Sequence, residues 1–206
     1  MGIDALKRSR AVFLDRDGVI NRNVLNPASG AWESPLLPEQ FEMIPGAVPA
    51  MRRLLDAGFL LFVVSNQPNY AKGKASLETL QAIHDRLLDI LNQSGIHISA
   101  FYYCLHHPEG VVPAYSGHCH CRKPLPFFLY QARDAFDLEM SHSWMVGDRI
   151  ADIQCGRAAG TRTIRIFNEG EGNLANSDQV KTDFLVSGLA AAAEIILMSN
   201  GGNLQN

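Results

Sequence analysis

The sequence has no long apolar run. Its best candidates, residues 59–64 and 189–198, fall short of the roughly 20 residues a membrane-spanning helix needs, and Glu194 interrupts the second. A secretory leader is not expected either, because residues 1–10 carry both charges and only the short apolar run 11–14 follows. Nor does one sign of charge dominate. Eighteen lysines and arginines face 21 aspartates and glutamates, for a formal net charge of −3. Without a basic run or a basic, aromatic-rich face, nucleic acid is not an expected partner. Internal repeats are absent, and the only weak tract is the tail 200–206, expected to fray. Charged residues make up 19% of the chain and hydrophobic ones 47%, which excludes a disordered polymer. What remains is a cytoplasmic, monomeric, globular protein, with residues 1–206 forming a single domain.

Cysteine is scarce but clustered. Of Cys104, Cys119, Cys121 and Cys155, the first three fall within 18 residues. In a cytosolic chain such a cluster points to metal binding rather than disulfides.

Short apolar runs alternate with helical periodicity. Strands are expected at 11–14, 59–64, 100–104, 143–146 and 163–167. Helices are expected near 47–55, 77–91, 127–136, 149–159 and 187–199, with Gly58 and Gly95 as stops. This alternation predicts an α/β fold, a doubly wound and mostly parallel sheet. Residues 21–45 and 106–126 read as irregular, and neither is large enough for a second core. In such sheets ligands sit beyond the carboxyl ends of the strands. Polar residues stand where the apolar runs stop: Asp15 and Asp17, Ser65 and Asn66, Gly147 and Asp148.

Asp15 and Asp17 follow a buried strand, and i, i+2 spacing on an extended segment aims both carboxylates one way. Such a pair repels itself unless a hard cation or a shared proton intervenes. One carboxylate can attack phosphorus while the other protonates the leaving oxygen, and magnesium would let the anionic nucleophile approach an anionic phosphate. Read singly, each residue has a plainer role. The aspartates could be surface loop residues, Ser65 and Asn66 a turn, and Lys123 a solvated lysine.

Together the runs FLDRDGVIN, VVSNQ, CRKP and MVGDRIADI occur in the order and rough spacing of the haloacid dehalogenase (HAD) superfamily of phosphotransferases, which the chain resembles over residues 11–167. The resemblance implies a Rossmann-like sheet without a large cap domain, and a magnesium-dependent aspartyl-phosphate mechanism. It assigns Asp15 as nucleophile and Asp17 as general acid/base, with Ser65 and Lys123 on the phosphoryl group. Magnesium would be held by the Asp15 carboxylate, the Asp17 main-chain carbonyl and Asp148. Asn66, Gln67, Arg122 and Arg149 are the expected substrate contacts beside Ser65 and Lys123, with Arg122 gripping a second anionic group by a bidentate contact.

The second constellation is Cys104-Leu105-His106, twelve residues, then Cys119-His120-Cys121. Three thiolates and an imidazole suit a closed, structural tetrahedral zinc site, although His107, His118 and His120 compete as ligands on spacing alone. The segment resembles the zinc loop of the heptose 1,7-bisphosphate phosphatases, which is also found in histidinol-phosphate phosphatase domains. That resemblance selects Cys104, His106, Cys119 and Cys121. It implies a phosphatase acting on a small phosphorylated substrate, most specifically a heptose bisphosphate and alternatively histidinol phosphate or another monoester. A non-catalytic, zinc-stabilised binding protein is the reading from another class.

Three departures bear on the substrate. Pro68-Asn69 replaces a small flexible pair, the loop 22–42 is longer than usual, and Arg149 stands where lysine is common. The loop 22–42 and the zinc loop are the expected walls of an open pocket.

Overall fold

The computed structural model describes residues 8–27, 30–167 and 180–201. Strand β1 (Arg10–Leu14) is apolar after its first residue and buried on both faces. That is what the middle of a parallel sheet covered on two sides demands. Around it lie β4 (Phe59–Asn66), β5 (Ala100–Cys104), β6 (Trp144–Gly147), β7 (Arg162–Ile166) and β8 (Phe184–Val186). They form one sheet in the order β5-β4-β1-β6-β7-β8, and every pairing is parallel.

Period-two alternation sends Val12 and Leu14 to one face and Ala11 and Phe13 to the other. The first face packs against α1 (Ala47–Asp56), α2 (Leu77–Gln93) and α5 (Leu189–Gly201), through Met51, Leu54, Ile83, Leu87, Ala193 and Ile196. The second packs against α3 (Phe127–Phe136) and α4 (Ile150–Ala159), through Leu129, Ala132 and Cys155. Ser76 caps α2 by accepting from the Thr79 amide at 3.1 Å. Gly58 ends the α1 turn at φ +81°, a backbone other residues adopt only with strain.

The chain builds outward from β1 to β4 and β5, then resumes on the far side of β1 with β6. The direction of winding therefore reverses beside β1, and a crevice opens there at the carboxyl ends of the strands. Leu14 lies level with Val63 and with Val146, so Asp15 emerges in line with Val64 and Gly147.

The expected strands and helices are all present, within a few residues of their expected bounds. The interval 21–45, expected to be irregular, instead contains a small antiparallel hairpin of β2 (Val24–Leu25) and β3 (Trp32–Glu33), then a 3-10 turn at Pro38–Gln40. Two-residue strands are too short to show a period in sequence. Strand β8, three residues long, was not foreseen either. In the tail, residues 200 and 201 end α5, and 202–206 lie outside the described residues.

Candidate active site

Beyond β1 the chain turns tightly. The Arg16 carbonyl accepts from the amides of Ile20 and Asn21 at 2.8 and 3.1 Å, and the Gly18 amide donates to the Asn21 carbonyl at 2.7 Å. Gly18 is needed twice over. Its φ is +81°, and a Cβ there would collide with the Asp148 carboxylate.

Asp15 is buried at this turn, and its Oδ1 accepts from the Arg16 amide at 2.7 Å. Lys123 Nζ lies 3.0 Å from the same oxygen, 2.6 Å from Asp152 Oδ1, and donates to the Val64 carbonyl at 2.7 Å. Burial works against ionisation of Asp15, but the Lys123 charge and the Ser65 hydroxyl outweigh it and hold the carboxyl below its ordinary range. For Lys123 burial likewise opposes the charged form, while Asp15 and Asp152 raise its pKa and keep it a cation. The Lys123 main chain is fixed by Asn66, whose amide accepts from the Lys123 N–H and donates to the Lys123 carbonyl, both at 3.1 Å.

Asp17 accepts from Arg16, from Asn21 Nδ2 at 2.9 Å and from Gln67 Nε2 at 2.6 Å. Gln67 is buried, and its Nε2 also donates to Ser65 Oγ at 3.0 Å. Asp152 does more than support the start of α4. Its Oδ2 accepts from the Arg149 amide at 2.9 Å while Oδ1 pairs with Lys123.

Oxygens of Asp15, Asp148 and Asp152 lie within 4.8 Å of one another, and all three residues are buried. An all-oxygen, carboxylate-rich set suits a hard cation such as magnesium. Lys123 pairs with both Asp15 and Asp152, but Asp152 also spends its second oxygen on the Arg149 amide, whereas the Lys123 and Arg16 contacts of Asp15 both fall on Oδ1. Two residues not foreseen from the sequence hold Asp148: Asn23 Nδ2 donates to its Oδ2 at 3.4 Å, and Arg165 Nε donates to its carbonyl at 3.2 Å. Both come from elements distant in sequence and carry no motif.

Above these groups lies a cavity of about 340 Å³. Asp15, Asp17, Ser65, Asn66, Lys123 and Arg149 line it. One wall is the hairpin segment Ala31, Trp32, Glu33 and Ser34, and another is the loop carrying Pro68, Asn69, Lys72 and Lys74, with Arg122 beside it. Of the expected substrate contacts, only Gln67 does not reach the cavity surface. The Cys/His loop, expected as a wall, instead backs the 68–74 segment. The amides of Val111 and Val112 donate to the Ala71 carbonyl at 2.6 and 3.2 Å, and Tyr70 packs edge-on against Tyr115. Lys72 was not foreseen. Burial, together with the nearby charges of Lys74 and Arg122, lowers its pKa, a sign of cations gathered closely at the rim.

The clustered cysteines converge, and of the competing histidines His106 joins them. Ligand atoms of Cys104, His106, Cys119 and Cys121 lie within 4.8 Å of one another, with Sγ–Sγ distances of 3.2 to 3.6 Å and Cys121 Sγ 3.7 Å from His106 Nδ1. Such separations are too long for a disulfide. They approach the spacing of about 3.8 Å set by tetrahedral Zn–S bonds of about 2.3 Å. Arg122 donates to the His106 carbonyl at 3.0 Å, so the cluster braces the guanidinium at the rim. Cys155 stands apart, buried, and burial pushes its thiol up to about 12.

A parallel sheet with this strand order and a buried Asp-Lys-Asp constellation at its switch point defines a phosphatase of the HAD-like hydrolases. A family profile described as HAD-hydrolase-like matches residues 120–192. The chain is 33% identical over 180 residues to a D-glycero-beta-D-manno-heptose-1,7-bisphosphate 7-phosphatase of Yersinia pestis, covering 87% of this chain and 91% of that protein. It is also 33% identical over 153 residues to a D-glycero-alpha-D-manno-heptose-1,7-bisphosphate 7-phosphatase of Photorhabdus laumondii, covering 73% and 78%. Among solved structures, D,D-heptose 1,7-bisphosphate phosphatase from B. bronchiseptica, complexed with magnesium and phosphate, aligns with TM-score 0.77 and 30% identity over 92% of this chain and 99% of that one. The chain belongs to the heptose-1,7-bisphosphate phosphatase family of HAD-like hydrolases. Among the described residues, no helix is long and apolar enough to cross a membrane.

Proposed function

We propose that the chain hydrolyses one phosphate from a heptose 1,7-bisphosphate. The observation that carries this reading is two cationic groups in one cavity: Lys123 at the floor, and Arg122 with Lys72 at the rim. A monoester needs only the first. A bisphosphate uses both, one phosphate reacting while the other is gripped by charge-assisted hydrogen bonds.

An Asp15 carboxylate oxygen attacks phosphorus, and the bond from phosphorus to the sugar oxygen breaks. Asp17 gives its proton to that leaving oxygen. Asp17 then takes a proton from the water that attacks the aspartyl phosphate, which releases inorganic phosphate and restores Asp15. Lys123 and Ser65 hold the phosphoryl oxygens throughout. Asp15, Asp148 and the Asp17 main-chain carbonyl are the groups for magnesium, which when bound supplies positive charge that lets an anionic nucleophile approach an anionic ester. Zinc is the ion that the Cys104, His106, Cys119 and Cys121 donor set suits, closed and structural, holding the loop that braces Arg122.

The test is phosphate release from the α and β anomers of D-glycero-D-manno-heptose 1,7-bisphosphate and from histidinol phosphate, with magnesium present and Asp15→Asn in parallel. Turnover of one heptose anomer, lost in Asp15→Asn, is expected. Turnover of histidinol phosphate alone would overturn the substrate assignment and leave the chemistry standing.

A further inference from the structure

Arg16, between the two catalytic-motif aspartates, is 1% exposed and among the largest fully buried side chains of the protein. A guanidinium at that depth needs its donors matched. Here Nε and Nη2 meet Asp17 and Gln67. Arg16 Nε and Nη2 donate to Asp17 Oδ1 at 3.2 and 3.0 Å, and Nη2 also reaches Asp17 Oδ2 at 3.2 Å. Nη2 donates as well to Gln67 Oε1 at 2.9 Å, and the Gln67 amide returns its own N–H to Asp17 Oδ2 at 2.6 Å. Arg16, Gln67 and Asp17 therefore close a ring of hydrogen bonds. Behind it, the guanidinium carbon lies 5.7 Å from the centre of the Tyr103 ring, and the Tyr103 hydroxyl meets His84 Nδ1 at 3.1 Å. Neither Arg16 nor Gln67 lines the cavity, whereas Asp17 does. The ring grips Asp17 from below and leaves its cavity side to the substrate.

We propose that Arg16 and Gln67 are positioning residues that set the orientation of the Asp17 carboxylate toward the leaving oxygen. This rests on the reading of Asp17 as proton donor. A planar fork facing a planar carboxylate fixes direction as well as charge, which a lysine ammonium does not.

The experiment compares kcat/KM on two esters in Arg16→Lys and in Gln67→Met. This parameter counts steps only through phosphoryl transfer to Asp15, so later hydrolysis does not enter. A sugar alkoxide must be protonated as it leaves, and p-nitrophenolate need not be. Positioning predicts a fall of about 100-fold on the sugar phosphate, the scale of general acid catalysis, with p-nitrophenyl phosphate nearly unchanged. In an Asp17→Asn background the selective loss vanishes, because nothing remains to be positioned. Equal falls on both esters, or no fall, would overturn the proposal. So would a raised KM on both in Gln67→Met with kcat unchanged, which is the mark of direct substrate contact. Should Arg16→Lys fail to fold, the near-isosteric Gln67→Met carries the same test. If no heptose bisphosphate is turned over, the substrate assignment fails separately, and the ratio is read on whichever alkyl monoester the enzyme accepts.

Discussion

The floor and the rim of the cavity are built differently. Asp15, Ser65 and Asp148 leave the ends of three adjacent strands, and Lys123 reaches in beside them; all four are at most 5% exposed. The first three are placed by the strands they end, and Lys123, just after the Cys/His loop, by Asp15, Asp152 and Asn66. The rim is assembled from loops. The hairpin of β2 and β3 is tied to the 68–74 segment by Asn69 Nδ2 donating to Ser34 Oγ at 2.9 Å and by Lys74 paired with Glu33 at 2.7 Å. The Cys/His loop braces that segment from outside. Groups that act on phosphorus thus sit mostly at the carboxyl edge of the sheet, and groups that face the rest of the substrate sit on loops, which vary more readily. Two of the three departures noted in the sequence, the loop 22–42 and Pro68-Asn69, lie on this varied side and touch each other, whereas Arg149 follows Asp148 on the floor and its amide is held by Asp152.

This division predicts unequal consequences. Asp15→Asn removes the nucleophile and takes turnover of every ester below detection, while the melting temperature falls, since buried Lys123 keeps only Asp152 as a carboxylate partner. Residual sugar phosphate turnover in a steady-state assay would break the contrast. Arg122→Ala is expected to raise KM for the bisphosphate about 10–100-fold, the loss of about 1.5–3 kcal/mol from a hydrogen bond to a charged group. The same variant leaves kcat/KM for p-nitrophenyl phosphate nearly intact.

Cys121→Ser should abolish stoichiometric zinc, measured by elemental analysis of the purified protein. It should also reproduce the Arg122 pattern in weaker form, because the brace on the guanidinium is loosened rather than removed. Equal loss on both esters would mean that the cluster supports the floor too.

A pH effect comes from behind the floor. Burial, with Arg16 nearby, lowers the His84 pKa below its ordinary 6.5, against the pull of Asp85. The unfolded chain then binds the proton more tightly, so this contribution to stability is complete above about 6.5 and is lost as the pH falls through the lower folded value. Urea midpoints across this range should show the decline, and His84→Gln should flatten it. Smallest is the Lys74–Glu33 pair. Its side chains are partly exposed, and a double-mutant cycle should return at most about 1 kcal/mol.

Most of the floor was legible in the sequence. Asp15, Asp17, Ser65, Lys123 and Asp148 each sit just past an apolar run, or next to a proline at a helix entrance, and that local grammar carries them to the carboxyl edge. Arg16 was invisible as a participant, since a charged residue between two aspartates reads as solvated until its burial is seen. Gln67 was expected at the substrate, yet its amide is spent on Asp17, Arg16 and Ser65. Lys72 was missed because a lysine in a loop has no signal until Arg122, 50 residues away in sequence, is folded next to it.

The sequence by itself determined the α/β alternation, the strand-end polar residues and the gathering of three cysteines among several histidines in one segment, while the fold brought His106, out of those histidines, to the cysteines. The first three features rest on short-range pattern: apolar period, turn chemistry and ligand spacing are all written within a few residues of each other. Only the tertiary structure decided that the loop 22–42 folds into a hairpin, that the 68–74 segment stands between it and the Cys/His loop, and that a buried arginine holds Asp17. Each of those depends on contacts between segments far apart along the chain. There the choice of partner is made by which surfaces the packed sheet brings together, not by the residues of either segment alone.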